Sequence, residues 1–205
     1  NLETAVGIVH DAAPRLGERA LVVGAGVVGL LVCALLARCG LRELIAVEPH
    51  ELRRQAAREL GCRVFAPEEP ELAAEISALT GGRGVDVAID TSGSESGLQL
   101  AMDLLAFEGT LVEASWFGSR KIGLELGGRF HRRRLKLVAS QVSHVASALL
   151  PRWDKKRRLE MVLELLPRLH PSRFITQRFT LERAQEAFEL IDRYPERTLQ
   201  VVLQP

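Results

Sequence analysis

Apolar residues in this chain come in short β-branched runs separated by longer stretches with a single apolar face. That alternation predicts parallel strand–helix–strand units. Residues 2–13 carry helical spacing, and Pro14 to Glu18 reads as a turn. Ala20-Leu21-Val22-Val23 is continuously apolar, as a central parallel strand covered on both faces must be. Val27 to Arg38 follows as an apolar helix, with Gly40 in the C-cap role. The pattern then repeats: strand 44–48, helix 51–60 stopped by Gly61, strand 63–66, helix 71–79, strand 85–90, helix 98–105 and strand 110–114. The expected fold is α/β, a Rossmann-type doubly wound parallel sheet with helices on both faces.

After residue 116 the texture changes. Lys121-Ile122-Gly123-Leu124-Glu125-Leu126 alternates polar and apolar residues and suits an edge strand, and 135–142 is a further strand candidate. Leu159, Val162, Leu163 and Leu166 recur at helical spacing, with Asp154 as N-cap. Ala184, Ala187, Phe188 and Ile191 repeat that spacing, with Thr180 as the expected cap, and 198–203 closes as a strand. Three parts are expected: a connecting helix at 1–15, a dinucleotide-binding domain at 16–142, and C-terminal helices and a strand at 143–205.

Gly24-Ala25-Gly26-Val27-Val28-Gly29 matches G-x-G-x-x-G. Alone this motif is weak, but here it follows a buried-type strand and opens a helix, the context in which it binds dinucleotides. Gly24 allows the tight turn, Gly26 leaves room for a pyrophosphate, and Gly29 lets helix and strand pack closely. The N–H groups around Val27 and Val28 then face the phosphates, with the helix dipole behind them. Glu48 ends the second strand nineteen residues after Gly29. Its carboxylate can accept hydrogen bonds from the ribose hydroxyls and repels a 2′-phosphate, which favours NAD. Arg53 and Arg54 lie close by in sequence, where a guanidinium could hold that phosphate instead. NADP therefore stays open.

Charge and composition narrow the field. A net charge of +1 projects no field toward nucleic acid or an anionic membrane, and no apolar run is long enough to span a bilayer. The start, Asn1-Leu2-Glu3-Thr4, has neither Met nor a signal-peptide pattern, so the chain is expected to be a piece of a longer protein. Cys33, Cys39 and Cys62 form no CxxC pair and fit a reducing cytoplasm. The basic runs at 129–136 and 152–158 admit a nucleic-acid module on charge alone. No aromatic stacking pattern accompanies them, and solvated faces or domain contacts explain them better. Gly93-Ser94-Glu95-Ser96-Gly97 places Glu where a nucleophile elbow needs Ser, and no P-loop occurs.

In sum these segments resemble a family, the medium-chain dehydrogenase/reductases in their zinc-type alcohol dehydrogenase branch. The resemblance runs from helix 2–12 through Gly17-Glu18-Arg19-Ala20 and the glycine turn. It continues through Asp86-Val87-Ala88-Ile89-Asp90-Thr91-Ser92-Gly93, Gly109-Thr110-Leu111-Val112 and Ser115-Trp116-Phe117-Gly118. It ends with Gly128-Arg129-Phe130-His131-Arg132-Arg133-Arg134-Leu135 and Ser140-Gln141-Val142. It implies an NAD(P)-dependent oxidoreductase interconverting an alcohol and a carbonyl by hydride transfer. It also implies that Thr91 and Ser92 lie beside the adenosine side of the cofactor or its riboses. The backbone of Ala114, Ser115 and Trp116 is implied beside the nicotinamide, and Arg197 at the pyrophosphate. The family's chaperonin-10-like N-terminal domain supplies the catalytic zinc ligands and proton relay. Catalytic residues and zinc are therefore expected before Asn1, and the five histidines here show no ligand spacing. Small-molecule alcohols or carbonyls are the implied substrates, and a homodimer or homotetramer the implied assembly. An NAD-binding domain that senses or scaffolds without chemistry is the alternative.

Overall fold

A computed structural model describes residues 1–205. Helix α1 (Leu2–Ala12) precedes β1 (Arg19–Val23), α2 (Val27–Leu36), β2 (Glu43–Val47), α3 (Glu51–Glu59) and β3 (Arg63–Phe65). Then come α4 (Leu72–Thr80), β4 (Val85–Asp90), α5 (Glu95–Asp103), β5 (Leu105–Glu113) and β6 (Lys136–Ala139). These strands form one six-stranded sheet in the order β3-β2-β1-β4-β5-β6, every pair parallel. This is the doubly wound order, whose strand sequence reverses beside β1 and opens a crevice at the carboxyl edge.

The continuous apolar runs are explained by where their side chains go. Ala20 and Val22 of β1 enter a core shared with α1, α2 and α3, while Leu21 and Val23 enter the opposite core beneath α4 and α5. Leu44 and Ala46 of β2 divide from Ile45 and Val47 in the same way. Val85 and Val87 of β4 join opposite cores, beside a register shift in which β5 carries the extra residues between Leu105 and Thr110. α1 belongs to the same packed unit: Leu2, Ala5, Val6, Ile8 and Ala12 are buried against α2.

The C-terminal part contains α6 (Lys155–Leu169), β7 (Ile175–Thr180), α7 (Ala184–Arg193) and β8 (Gln200–Gln204), with β7 and β8 paired in parallel as a separate sheet. Asp154 caps α6 as the sequence indicates, accepting the Arg157 N–H at 2.7 Å. Arg158 fastens α6 to the main domain. It is 1% exposed, pairs with Glu3 at 2.8 Å, and donates to the carbonyls of His144 and Val142. Arg157 lies over the Trp153 ring at 4.2 Å. These two basic residues of the 152–158 run are thereby engaged within the fold.

Several local expectations are corrected. The segment 121–126 is not a strand, because its backbone N–H groups at Gly123 and Glu125 donate to the Glu95 and Gln99 side chains of α5. The helix expected at 98–105 starts at Glu95, where Ser94 caps it by accepting the Gly97 N–H, and ends at Asp103. β5 then begins at Leu105. β7 adds a second strand to a C-terminal part whose apolar pattern predicts only one. α2 stops at Leu36, and Gly40 closes the following turn with φ 68° instead of capping the helix. Thr180 precedes a 3-10 turn and makes no side-chain cap.

Candidate dinucleotide-binding site

The three motif glycines meet different constraints. Gly24 adopts φ +89°, and a Cβ there would lie 2.8 Å from the Ser92 backbone. A Cβ on Gly29 would fall 2.0 Å from the Gly24 carbonyl oxygen and 2.7 Å from Thr91 Oγ1. Gly26 is the N-cap of α2 with φ −64°, and a Cβ on it would meet nothing within 4 Å. The first two glycines are therefore dictated by packing, and the third opens onto space. No side chain caps α2, so the N–H groups of its first turn, which have no intrahelical acceptor, remain available to an anion.

That space is a crevice of about 550 Å³ lined by Gly24, Gly26, Glu48, Arg53, Thr91 and Ser92, among others. Its size is that of a small-molecule or cofactor site. Glu48 is 2% exposed, accepting the Ala25 N–H at 2.7 Å on one carboxylate oxygen and the His50 N–H at 3.0 Å on the other. A carboxylate has about four lone-pair positions, so acceptor capacity is left over toward the crevice. Thr91 pins the turn by donating from Oγ1 to the Gly24 carbonyl at 2.7 Å.

Arg53 borders the crevice, but its guanidinium donates to the Thr198 and Pro195 carbonyls at 3.2 and 3.0 Å. It ties the C-terminal segment to α3. Arg54 donates to the Glu48 and Pro49 carbonyls and pairs with Glu51 at 2.8 Å. Val27 and Val28 are half-buried at the start of α2. Ala114 and Ser115 follow β5, and Trp116 beyond them is 91% exposed. Arg197 lies outside the lining, over the Tyr194 ring at 4.5 Å and paired with Glu196 at 3.3 Å.

Sequence reading missed a buried acid network under this edge. Asp90 ends β4 beside Glu113 of β5. Asp90 Oδ1 accepts the Ser92 hydroxyl at 2.7 Å and Oδ2 the Ser115 hydroxyl at 3.2 Å, while Ser115 Oγ in turn accepts the Gly93 N–H at 3.0 Å. Burial pushes the Asp90 carboxyl above its ordinary 3.8, against the opposing hydrogen bonds from Ser92 and Ser115. Burial likewise raises Glu113, aided by the Asp90 charge and opposed by the Ser115 N–H, which donates to Glu113 at 2.5 Å. Pro67, Glu68, Ser94, Ser96 and Gly97 also line the crevice. Their signal was positional, since residues just past strands on this edge surround the switch point.

No group of three or more His, Cys, Asp or Glu side chains is placed to ligate a metal ion in this chain. The zinc implied by the resemblance has no ligand set here.

A parallel sheet in this order, with a glycine turn, an open helix start and a crevice between them, defines a dinucleotide-binding α/β domain. The sequence matches the family described as zinc-binding dehydrogenase over residues 27–153, and the chain belongs to that family. It is 32% identical over 197 residues to D-guloside 3-dehydrogenase of Escherichia coli (strain K12), covering 94% of this chain and 56% of that protein. It is 28% identical over 194 residues to (R,R)-butanediol dehydrogenase of Neisseria gonorrhoeae, covering 93% and 51% respectively. The chain thus spans about half the length of the curated relatives it matches. Alcohol dehydrogenase TADH from Thermus sp. ATN1 shares the fold, with a TM-score of 0.82 at 24% identity over 98% of this chain and 56% of that one. The short chain alcohol dehydrogenase of Escherichia coli CFT073, solved in complex with cofactor NADH, gives 0.79 at 20% identity over 100% and 57%.

Proposed function

We propose that this chain is the cofactor-binding portion of an NAD-dependent oxidoreductase that interconverts an alcohol and a carbonyl by hydride transfer. The observation that carries the reading is the open N–H cluster at the start of α2, set over a crevice that a buried carboxylate borders. In this reading the Gly26–Gly29 backbone holds the pyrophosphate and the α2 dipole favours its charge. Glu48 orients the adenosine ribose. Thr91 and Ser92 shape the crevice wall, and the Ala114–Trp116 backbone flanks the nicotinamide. The bound cofactor supplies the hydride chemistry, while these residues supply position and electrostatics.

NAD is preferred over NADP because Glu48 offers a carboxylate where a 2′-phosphate would sit. The Arg53 and Arg54 guanidinia, which would otherwise receive that phosphate, are already engaged with backbone carbonyls. Relatives named for sugar and diol dehydrogenation support a small hydroxylated substrate. Residues 16–142 form the dinucleotide domain with 1–15 as the connecting helix. Residues 143–205 pack toward a catalytic part that carries zinc and the substrate pocket. Exposed Trp116, Leu163 and Phe188 support such a contact. Assembly as a homodimer or homotetramer follows the family, and the free Cys33, Cys39 and Cys62 suit a reducing cytoplasm. No helix is long and apolar enough to cross a membrane.

Titration with NADH and NADPH, read by nicotinamide fluorescence, tests the reading. NADH is expected to bind at least about tenfold more tightly, a difference of ~1.4 kcal/mol. Binding of neither at millimolar concentration ends the proposal, and tighter NADPH binding reverses the cofactor assignment.

A further inference from the structure

The opposite, amino edge of the sheet holds a second cavity, of about 600 Å³, whose chemistry differs from that of the crevice. Arg19, Arg42, Arg83 and Arg133 line it together with Glu18 and Asp86. Glu18 is already engaged by Arg15, through the Arg15 backbone N–H at 2.7 Å and its guanidinium at 4.0 Å. Asp86 accepts the Arg19 backbone N–H at 2.8 Å. Four guanidinia therefore line the cavity with two carboxylates, and none of the four forms an ion pair with either.

Arg19 is the decisive residue. It is 8% exposed, at the first position of β1, yet its guanidinium makes no hydrogen bond or ion pair. A charged group removed from water without a partner is costly. The one fully enclosed side-chain nitrogen lacking a partner in the chain is Arg129 Nε, so the Arg19 guanidinium reaches solvent, and the cavity it lines is the opening. The Arg42 and Arg83 guanidinia are likewise unpaired. Arg133 is held in place by donating to the Arg83 and Leu105 carbonyls. Phe107 and Leu16, 62% and 86% exposed, add apolar surface to the lining.

The geometry points to a binding site for a small oxyanion, phosphoryl or carboxylate, carried on an apolar or ring-bearing body. Guanidinium forks match both oxyanions in bidentate geometry. The aromatic face of Phe107 takes the body, and the cavity has the volume of a small-molecule pocket. The site is separate from the glycine turn. It lies where β1, β4 and β5 begin, while the turn follows the end of β1, about 15 Å away at roughly 3.3 Å per strand residue.

Titrating the full ¹⁵N-labelled chain with inorganic phosphate, and separately with citrate, tests the assignment by chemical-shift changes. The amides of Gly17, Arg19, Arg42 and Phe107 are expected to shift and saturate at millimolar ligand. A response to phosphate alone identifies a phosphoryl site, and one to citrate alone a carboxylate site. Phosphate at the glycine turn would move residues 26–28 and is read independently. Arg42→Gln combined with Arg83→Gln alters two exposed side chains outside the core and is expected to weaken binding about tenfold or more. Unchanged affinity in that variant would overturn the proposal. So would shifts at Arg152 to Arg157 with none at Arg19.

Discussion

The six-stranded sheet and the β7–α7–β8 unit are built on the same plan, parallel strands joined by a helix, yet they bury very different amounts of themselves. All five residues of β1 are buried, and eight of the ten in α2. No residue of β7 is buried, and α7 buries only Ala187 while Phe188 is 65% exposed. Parallel strands need cover on both faces. The large sheet takes that cover from its own helices, α1 to α3 on one side and α4 and α5 on the other. The small sheet packs against α7 and leaves apolar side chains in the open. One region covers its own faces, and the other leaves apolar side chains uncovered, the ones assigned above by proposal to a contact with a catalytic part.

Core truncation should separate the regions most sharply. Leu21 is 0% exposed in the centre of β1, and Leu21→Ala is expected to destabilise the chain by about 2–5 kcal/mol through lost transfer energy and a residual cavity. Urea unfolding measures this. A loss under about 1 kcal/mol would mean that the sheet is not the self-sufficient unit described.

Within the switch-point turn, two glycines three residues apart give opposite outcomes. Gly29→Ala drives a Cβ against the Gly24 carbonyl and the Thr91 hydroxyl that clamps it, so stability should fall by about 1–3 kcal/mol, as overpacking does. Gly26→Asp meets open space at an N-cap, a position that Asp favours, and should leave stability intact or slightly raised. NADH affinity should nonetheless fall at least about a hundredfold, ~2.7 kcal/mol, since a carboxylate would occupy the place of the pyrophosphate. Retained NADH binding in a folded Gly26→Asp chain would show that the phosphates do not lie on α2.

The acid network sharpens the comparison through pH. Asp90 is protonated more readily in the fold than in the unfolded chain. Its contribution is therefore fully present below its ordinary 3.8 and is lost as pH rises through the raised folded value. Asp90→Asn removes that dependence. Urea midpoints of the parent and the variant, compared between pH 4 and 7, should diverge in the variant's favour as pH rises. Parallel curves would mean that Asp90 titrates as an ordinary carboxyl.

Most of the large sheet was legible because each central strand is apolar on both sides and each helix opens at a glycine, a cap or a charge. The glycine turn was legible for the same reason: Gly24, Gly26 and Gly29 sit where strand gives way to helix. Two kinds of feature were hidden. One is structure decided by side-chain partners distant in sequence. Examples are Glu95 and Gln99, which capture the backbone of 123–125, and the Pro195 and Thr198 carbonyls, which occupy the Arg53 guanidinium. The other is β7, whose Ile175 to Thr180 pattern alternates half-buried and exposed positions. Its apolar face finds too little cover within the chain to produce the continuous run that marked β1.

The smallest expected effect lies in that second region, and it tests the comparison from the other side. Phe188 and Ile191 are 65% and 45% exposed on α7. Replacing Phe188 with Ser removes an aromatic ring that buries little surface within the chain, so the cost should stay within about 0.5 kcal/mol, as for surface substitutions without special partners. Ser is also only modestly poorer than Phe or its equal in helix propensity, which adds a few tenths of a kcal/mol at most. Urea unfolding of the chain should accordingly show a midpoint close to that of the parent. A loss above about 1.5 kcal/mol would place Phe188 in a core of its own. The contrast between a sheet that covers itself and one that leaves an apolar face open would then fail.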